Sequence, residues 1–242
     1  MAVRFDAGAD FLYRATSLPL MDAVSFACWL YLVTDRNTGS GIFTVINAAG
    51  TVYEVLSVGL DGTSLAMYNS SNLGGVAGSQ LTVGGWQHVA YTRGPSSHVA
   101  YLNGVQDSTL TENLTVTTGG MYIGSDTVNP TDSRMAAIKI WDAQLSAAEV
   151  AQEMQTIRPQ RFANLHIWTP AMVSSGERSR DYSGNGRDWI EQGTLTDEDG
   201  PPVSWGALSR IVSAPARAQD TPELYGRLGL KADRQMRQLL AQ

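Results

Sequence analysis

The chain has little cysteine, few charged residues and no long apolar run. Its 242 residues include one cysteine, Cys28, which excludes an internal disulfide and a zinc site built from several cysteines. Charged residues make up 17% of the chain and the formal net charge is −6, whereas nucleic-acid binding requires clustered lysine and arginine. No apolar stretch approaches the ~20 residues of a membrane-spanning helix. We therefore expect neither a nucleic-acid nor a membrane partner.

The start of the sequence also lacks the pattern of an export signal. Ala2 to Asp6 already has the alternation of a strand, which leaves no room for a charged start, an apolar centre and a cleavage site. We therefore expect a protein that leaves the cell by another route, and release in a virus particle is one such route.

Short strands alternate with turns from residue 2 to about 142, in a chain that contains 24 glycines. Asp61-Gly62 and Asn103-Gly104 each separate two strand-like runs, which predicts type I′ hairpins because both central residues of that turn need positive φ. Cys28 lies in an apolar run and is expected to be a small buried hydrophobic residue.

After the last of these strands, the spacing of apolar residues changes from a strand pattern to a helical pattern. Residues 145–154 have a helical pattern, with Ser146 and Glu149 spaced as a capping box. Strand patterns return at 165–168 and near 187–190. This order predicts that the segment after the helix completes the same β-sandwich.

Several segments occur in the order and spacing of a known family. They are Phe5-Asp6, Asp10 to Leu12, Ser25 to Trp29, Gly85 to Ala90, Val99 to Gly104, Tyr122 to Gly124, Ile138 to Trp141 and Leu145 to Val150. Together they resemble the laminin G-like, or concanavalin A-like lectin/glucanase, jelly roll over about residues 3–157. Asp181 to Gly186 is similar to a turn that usually lies near the front of such domains, as though part of the sandwich were permuted.

The resemblance implies an all-β antiparallel sandwich with one short helix. We assign residues 1–207 to this jelly roll and residues 208–242 to a linker and an amphipathic C-terminal anchor segment. Thr221-Pro222 is a good helix start, with threonine as the cap and proline at the first helical position. An apolar stripe follows, formed by Leu224, Leu228, Met236, Leu239 and Leu240.

The family includes glycoside hydrolases, which need two carboxyl groups on either side of the scissile bond. Their Glu-x-Asp-x-x-Glu strand is missing here: Glu54 stands alone, and Asp197-Glu198-Asp199 is expected in a turn. His88 and His98 lie on adjacent predicted strands without a nucleophile motif, so we expect ordinary hydrogen-bonded histidines. The sequence therefore predicts a protein that is not an enzyme, with a hydrolase as an open alternative.

Calcium is a frequent ligand in this family, and the ion prefers six to eight oxygen atoms. The loop 125–132 offers such atoms, with Asp126 and Asp132 as candidate metal ligands, although the same residues also suit an ordinary polar turn.

Sugar binding requires exposed aromatic rings beside polar groups. Trp29, Trp86 and Trp141 match core positions of the resemblance and are expected to be buried. This leaves Trp189 and Trp205 as candidate carbohydrate contacts.

Two functional hypotheses follow. The first is a non-enzymatic virion protein, either a head decoration or a tail or fibre component. Its C-terminal stripe would dock on other virion proteins or on copies of itself, although the same stripe could instead pack on its own sandwich. The second is a lectin-like module that binds surface glycans, with or without calcium. The expected location is the virion, or otherwise the extracellular surface.

Overall fold

Two antiparallel sheets pack face to face in the computed structural model. It describes residues 1–6, 10–15, 23–35, 39–47, 52–59, 61–69, 72–111, 118–125, 129–171 and 177–203. The elements are β1 (Ala2–Phe5), β2 (Phe11–Ala15), β3 (Val24–Leu32), β4 (Ser40–Asn47), β5 (Val52–Val58), β6 (Ser64–Asn69), β7 (Asn72–Gln80), β8 (Trp86–Arg93), β9 (His98–Leu102), β10 (Val105–Leu110), β11 (Thr118–Ile123), β12 (Ser133–Trp141), α1 (Ala147–Glu153), β13 (Leu165–Thr169), β14 (Ile190–Gln192) and β15 (Thr196–Glu198).

Sheet A has the order β10-β9-β8-β3-β12-β1-β15, with β13 also paired to β12, and sheet B has the order β14-β2-β11-β4-β5-β6-β7. The predicted all-β jelly roll with one short helix is therefore confirmed. Residues 208–242 lie outside the described residues, so the domain boundary at 207 and the anchor segment stay predictions. None of the described helices is both long and apolar enough to cross a membrane.

Along one of its edges, strand β12 pairs with two different strands. Its first half pairs with β1, where Met135 lies opposite Val3, and its second half pairs with β13, where Ile140 lies opposite Ile167. Between the halves, Ala137 has a φ of 53° and donates its backbone N–H to the carbonyl of Pro170 at 2.8 Å. The register of β12 with β3 shifts between Ala136 and Lys139, which marks a β-bulge, and beyond it the segment after the helix pairs with β12 beside the N-terminal strand.

The segment after the helix completes both sheets, as predicted. Strand β13 pairs with β12, β14 pairs with β2, and β15 pairs with β1. The prediction that Asp197-Glu198-Asp199 forms a turn is wrong for its first two residues. They belong to β15, because the edge of β1 supplies a partner strand and Ala2 lies opposite Glu198.

Alternate residues of the strands fill the space between the sheets. Phe26 of sheet A stacks on Phe43 of sheet B with ring centroids 4.7 Å apart and planes at 1°. Cys28 is fully buried beside them, and burial raises the pKa of its thiol, so it is a small core residue as expected. The parity of these core residues decides which side chains point outward, because successive strand residues face opposite sides.

Helix α1 covers part of the outer face of sheet A. The predicted capping box is present, since Ser146 accepts the backbone N–H of Glu149 and the Glu149 carboxylate accepts the backbone N–H of Ser146. Leu145 and Val150 pack with Ala27 and other residues of the sheet in a second apolar cluster. The helix therefore covers the outer face of sheet A around Ala27.

The two predicted type I′ turns have different outcomes. Asn103 and Gly104 have φ values of 51° and 78°, as that turn requires. The hairpin at Asp61-Gly62 also forms, but only Gly62 of this pair has positive φ, at 80°. The type I′ prediction is wrong there, because the connection between Val58 and Ser64 is longer than two residues.

Candidate functional site

A straight row of side chains crosses five strands on the outer face of sheet A. Strand register places Trp86 opposite Tyr31, Tyr31 opposite Arg134, Arg134 opposite Arg4, and Arg4 opposite Thr196. Their neighbours of opposite parity, which include Leu30, Met135 and Val3, lie in the core. Adjacent strands are about 4.8 Å apart, so the row is on the order of 20 Å long. We call Trp86, Tyr31, Arg134, Arg4 and Thr196 the outer strip.

The aromatic end of the outer strip is a continuous stack of rings and a guanidinium group. Trp86 and Tyr31 meet edge to face, with ring centroids 5.5 Å apart. The guanidinium carbon of Arg134 lies 4.7 Å from the centre of the Tyr31 ring, a cation–π contact. All three side chains are only partly buried. The stack is therefore held in place by its own contacts and still presents surface to a ligand.

Trp29 and His88 lie in the next row, between the outer strip and the part of the face covered by helix α1. Their rings meet at 69° with centroids 5.6 Å apart. Burial, together with the nearby positive charge of Lys139, lowers the pKa of His88 to about 3. His88 is therefore neutral at pH 7 and supports Trp29 without adding charge.

The cationic end of the outer strip is neutralised within the protein. Arg134 pairs with Glu198 at 2.9 Å. Arg4 forms an ion pair with Asp132, whose carboxylate also accepts the hydroxyl of Thr34. Two positive and two negative groups are therefore paired at this end, and together they carry no net charge.

Sheet B has an aromatic surface of a different kind on its own outer face. Phe11 and Tyr13 flank Tyr122, with centroids 5.4 Å and 4.7 Å from it, and we call these three residues the tyrosine patch. Ile190 lies opposite Tyr13 and is 53% exposed. Burial, and then the neighbouring Tyr13, raises the pKa of Tyr122, so the Tyr122 phenol is neutral at pH 7. The patch presents rings and hydroxyls, whereas the outer strip adds paired guanidinium and carboxylate groups.

Three tryptophans, Trp29, Trp86 and Trp189, differ in burial from what the sequence predicts. Trp189 is only 5% exposed, packs in the main core and donates its indole N–H to the Thr169 hydroxyl at 2.9 Å, so the expectation of a surface residue is corrected. Trp205 lies outside the described residues. Trp141 is fully buried as expected, but Trp29 and Trp86 are partly exposed. Their parity explains this, because β3 uses Phe26, Cys28 and Leu30 for the core and turns Trp29 outward.

Only one of the two candidate calcium ligands, Asp132, belongs to the described residues. Asp126 lies outside them, and the Asp132 carboxylate is bound by Arg4 and Thr34. Across the part of the chain that the structure describes, no three His, Cys, Asp or Glu side chains form a group that could hold a metal ion. Calcium binding stays a prediction.

His88 and His98 lie on opposite faces of sheet A and are not neighbours. His98 faces the interior, where the Tyr91 hydroxyl is 2.6 Å from its Nδ1 atom. Burial, and then the charge of Arg93, lowers the pKa of His98 to about 4. Both histidines are therefore neutral structural residues at pH 7.

Comparison with known proteins places this geometry in a family. The family described as the "Concanavalin A-like lectin/glucanases superfamily", with a laminin G-like model, matches residues 6–151. The chain belongs to this superfamily. A search of curated proteins finds no match to this concanavalin A-like chain.

Two solved structures share the fold of this concanavalin A-like chain. A putative carbohydrate binding protein from Bacteroides ovatus has 13% identity and a TM-score of 0.62, and the alignment covers 85% of this chain and 62% of that one. The native heptameric SAP-like pentraxin from Limulus polyphemus has 14% identity and a TM-score of 0.57, over 81% of this chain and 93% of that one. At such low identity, these likenesses extend to the fold alone.

Proposed function

We propose that this concanavalin A-like chain is a non-enzymatic binding module that recognises carbohydrate through the outer strip. The observation that carries the proposal is the stack of Trp86, Tyr31 and Arg134 beside two arginine–carboxylate pairs. The faces of aromatic rings pack on the apolar C–H faces of sugars, while guanidinium and carboxylate groups bind hydroxyls. The Bacteroides protein of similar fold, described as a putative carbohydrate binding protein, is consistent with this role.

Replacing Trp86 by alanine is expected to lower glycan affinity at least tenfold, because one stacking contact of about 1.4 kcal/mol corresponds to a factor of ten. Tyr31→Ala removes both the ring and the support of Arg134 and is expected to lower affinity by at least as much. A glycan array identifies the ligand, and isothermal titration calorimetry with that glycan measures the loss.

Two variants are matched controls for the loss of an aromatic side chain. Phe162 is 52% exposed and stacks with Arg158 outside the outer strip, with its ring centre 5.1 Å from the guanidinium carbon. Tyr122 belongs to the tyrosine patch. Phe162→Ala and Tyr122→Ala should leave glycan affinity within twofold. Loss of glycan binding in Tyr122→Ala but not in Trp86→Ala would show that the glycan-binding site lies on sheet B and not on sheet A.

The acidic partners of the two arginines in the outer strip favour binding over hydrolysis. Glycoside hydrolysis needs one protonated carboxyl group and one free carboxylate across the scissile bond. Glu198 and Asp132 are each paired with an arginine, so both carboxyl groups are already engaged in contacts within the protein. Release of reducing ends from the bound glycan by purified protein would contradict the non-enzymatic role.

We also propose a role in a virion for the C-terminal segment, from its sequence pattern alone. The stripe Leu224, Leu228, Met236, Leu239 and Leu240 is suited to docking on another virion protein or on a copy of this chain. Burial of several leucines at about 25 cal/mol per Å² would offset the cost of ordering a short helix.

Deletion of residues 213–242 tests this second role. The truncated chain is expected to keep its sandwich fold but to lose incorporation into particles. If the partner is a second copy, light scattering in solution should also show fewer copies per oligomer for the truncated chain than for the full chain. Normal assembly of the truncated protein would contradict the anchor.

A further inference from the structure

We infer that the ligand of the outer strip is an uncharged, linear glycan that lies across the strands and contacts several consecutive sugars. The inference rests on the proposed carbohydrate-binding function and specifies the class of ligand. Three features of the strip carry it: its length, its charge and its open ends.

The length of the outer strip exceeds what one sugar can cover. Its binding groups occur on five neighbouring strands, from Trp86 on β8 to Thr196 on β15, over on the order of 20 Å. A pyranose is similar in size to the six-membered ring of Tyr31, so one sugar matches one or two positions of the row. A chain of sugars that runs perpendicular to the strands would use all five positions.

The charge of the outer strip favours a neutral ligand. Arg134 is paired with Glu198, and Arg4 with Asp132, so the four charged groups cancel. An anionic glycan would have to displace one of these carboxylates, and the net charge of −6 on the whole chain would also repel it. Sugar hydroxyls, which both donate and accept, can instead bridge a guanidinium and its carboxylate partner.

Both ends of the outer strip lead to an edge of the described sheet. Strand β9 ends at Leu102, opposite Val89, so it does not continue the row beyond Trp86. At the other end β15 is the last strand of sheet A, and its Thr196 is exposed. Within the described residues, the outer strip can therefore bind the internal sugars of a long glycan as readily as the sugars at its end.

Calorimetry with oligosaccharides of one to six sugars tests the inference. The probes are the neutral cello-, malto- and manno-oligosaccharides, with oligogalacturonates of the same lengths as the anionic series. For the neutral series that binds, we expect affinity to rise at least tenfold from the monosaccharide to the hexasaccharide and to change less than twofold between 50 and 500 mM salt.

Three results would overturn the inference. They are a monosaccharide that binds as tightly as its hexasaccharide, oligogalacturonates that bind more tightly than every neutral series, and failure of all four series when a branched glycan binds on the array. In each case the chain still binds carbohydrate, so the proposed function survives. Absence of any ligand on the array would instead contradict the proposed function.

A pair of variants separates the two ends of the outer strip. Thr196→Glu places a longer, charged side chain at the far end, and it should lower hexasaccharide affinity at least fivefold more than disaccharide affinity. Trp86→Ala should lower affinity for every length by a similar factor. The matched control is Thr109→Glu, because Thr109 is an exposed strand threonine of sheet A outside the strip. Equal effects of Thr196→Glu on both lengths would contradict a ligand that spans the row.

Discussion

Replacing Lys139 by methionine is expected to lower the free energy of unfolding by about 3–5 kcal/mol, because the change leaves the carboxylate of Glu153 buried without its cation. For a domain of this size such a loss corresponds to a fall in Tm of about 6–20 °C. The pair joins strand β12 to the end of helix α1, so its loss should also loosen the helix from the outer face of sheet A.

The geometry explains why the expected loss is large. The Lys139 ammonium donates to the Glu153 carboxylate at 2.8 Å and to the backbone carbonyls of Glu153 and Thr156 at 2.9 Å each. The two side chains are 1% and 0% exposed. Burial lowers the pKa of Lys139, while the charge of Glu153 opposes that shift. Methionine has a similar length but supplies no donor to any of these three oxygens.

Urea unfolding at pH 7 measures the loss, and a double variant assigns it to the ion pair. In Lys139→Met/Glu153→Gln no buried charge is left unpaired, so this variant should recover at least 1 kcal/mol relative to Lys139→Met. Arg180→Met removes a surface pair, since Arg180 lies 3.7 Å from Glu177 and both side chains are more than a third exposed. This control should change stability by less than about 1 kcal/mol. Similar losses for Lys139→Met and Arg180→Met would contradict the role of the buried pair.

The sequence predicts the local elements of this molecule better than their pairing. The capping box at Ser146 and the Asn103-Gly104 turn are defined by neighbouring residues, and both are confirmed. Lys139 is visible as a charge within an apolar strand, but its partner lies 14 residues away on another element. The bulge at Ala137 depends on the two strands that share one edge of β12, and a non-glycine residue gives no local sign of its positive φ.

The outer strip shows the same limit at the candidate site. The resemblance predicts Trp29 in the core, and the apolar run of β3 alone does not reveal which of its two faces is buried. Arg4 and Arg134 are separated by most of the chain and meet only because β1 pairs with β12. Parity alone could have placed Tyr31 on the same face as Trp29. The pairing of four charges at the far end needed the tertiary structure.

Acidification from pH 7 to pH 5 is expected to lower the free energy of unfolding by on the order of 4 kcal/mol through two histidines. In the folded chain the pKa is lowered to about 3 for His88 and to about 4 for His98, chiefly by burial. An unfolded histidine has a pKa of about 6.5. Below that pH the unfolded chain binds two protons that the folded chain does not, so stability is complete above pH 6.5 and falls as pH decreases. Each histidine contributes about 1.4 kcal/mol per pH unit until its folded pKa is reached.

Variants that cannot titrate isolate this effect from the protonation of carboxylates. His88→Phe keeps a ring against Trp29, and His98→Gln keeps a polar partner for the Tyr91 hydroxyl. Either variant should have a lower stability at pH 7 but a shallower dependence on pH, by about 1.4 kcal/mol per unit between pH 6 and pH 5. The double variant should be shallower by about twice that amount. Denaturant unfolding at half-unit steps of pH measures the slopes, and a slope equal to that of the unaltered chain in both single variants would contradict neutral buried histidines.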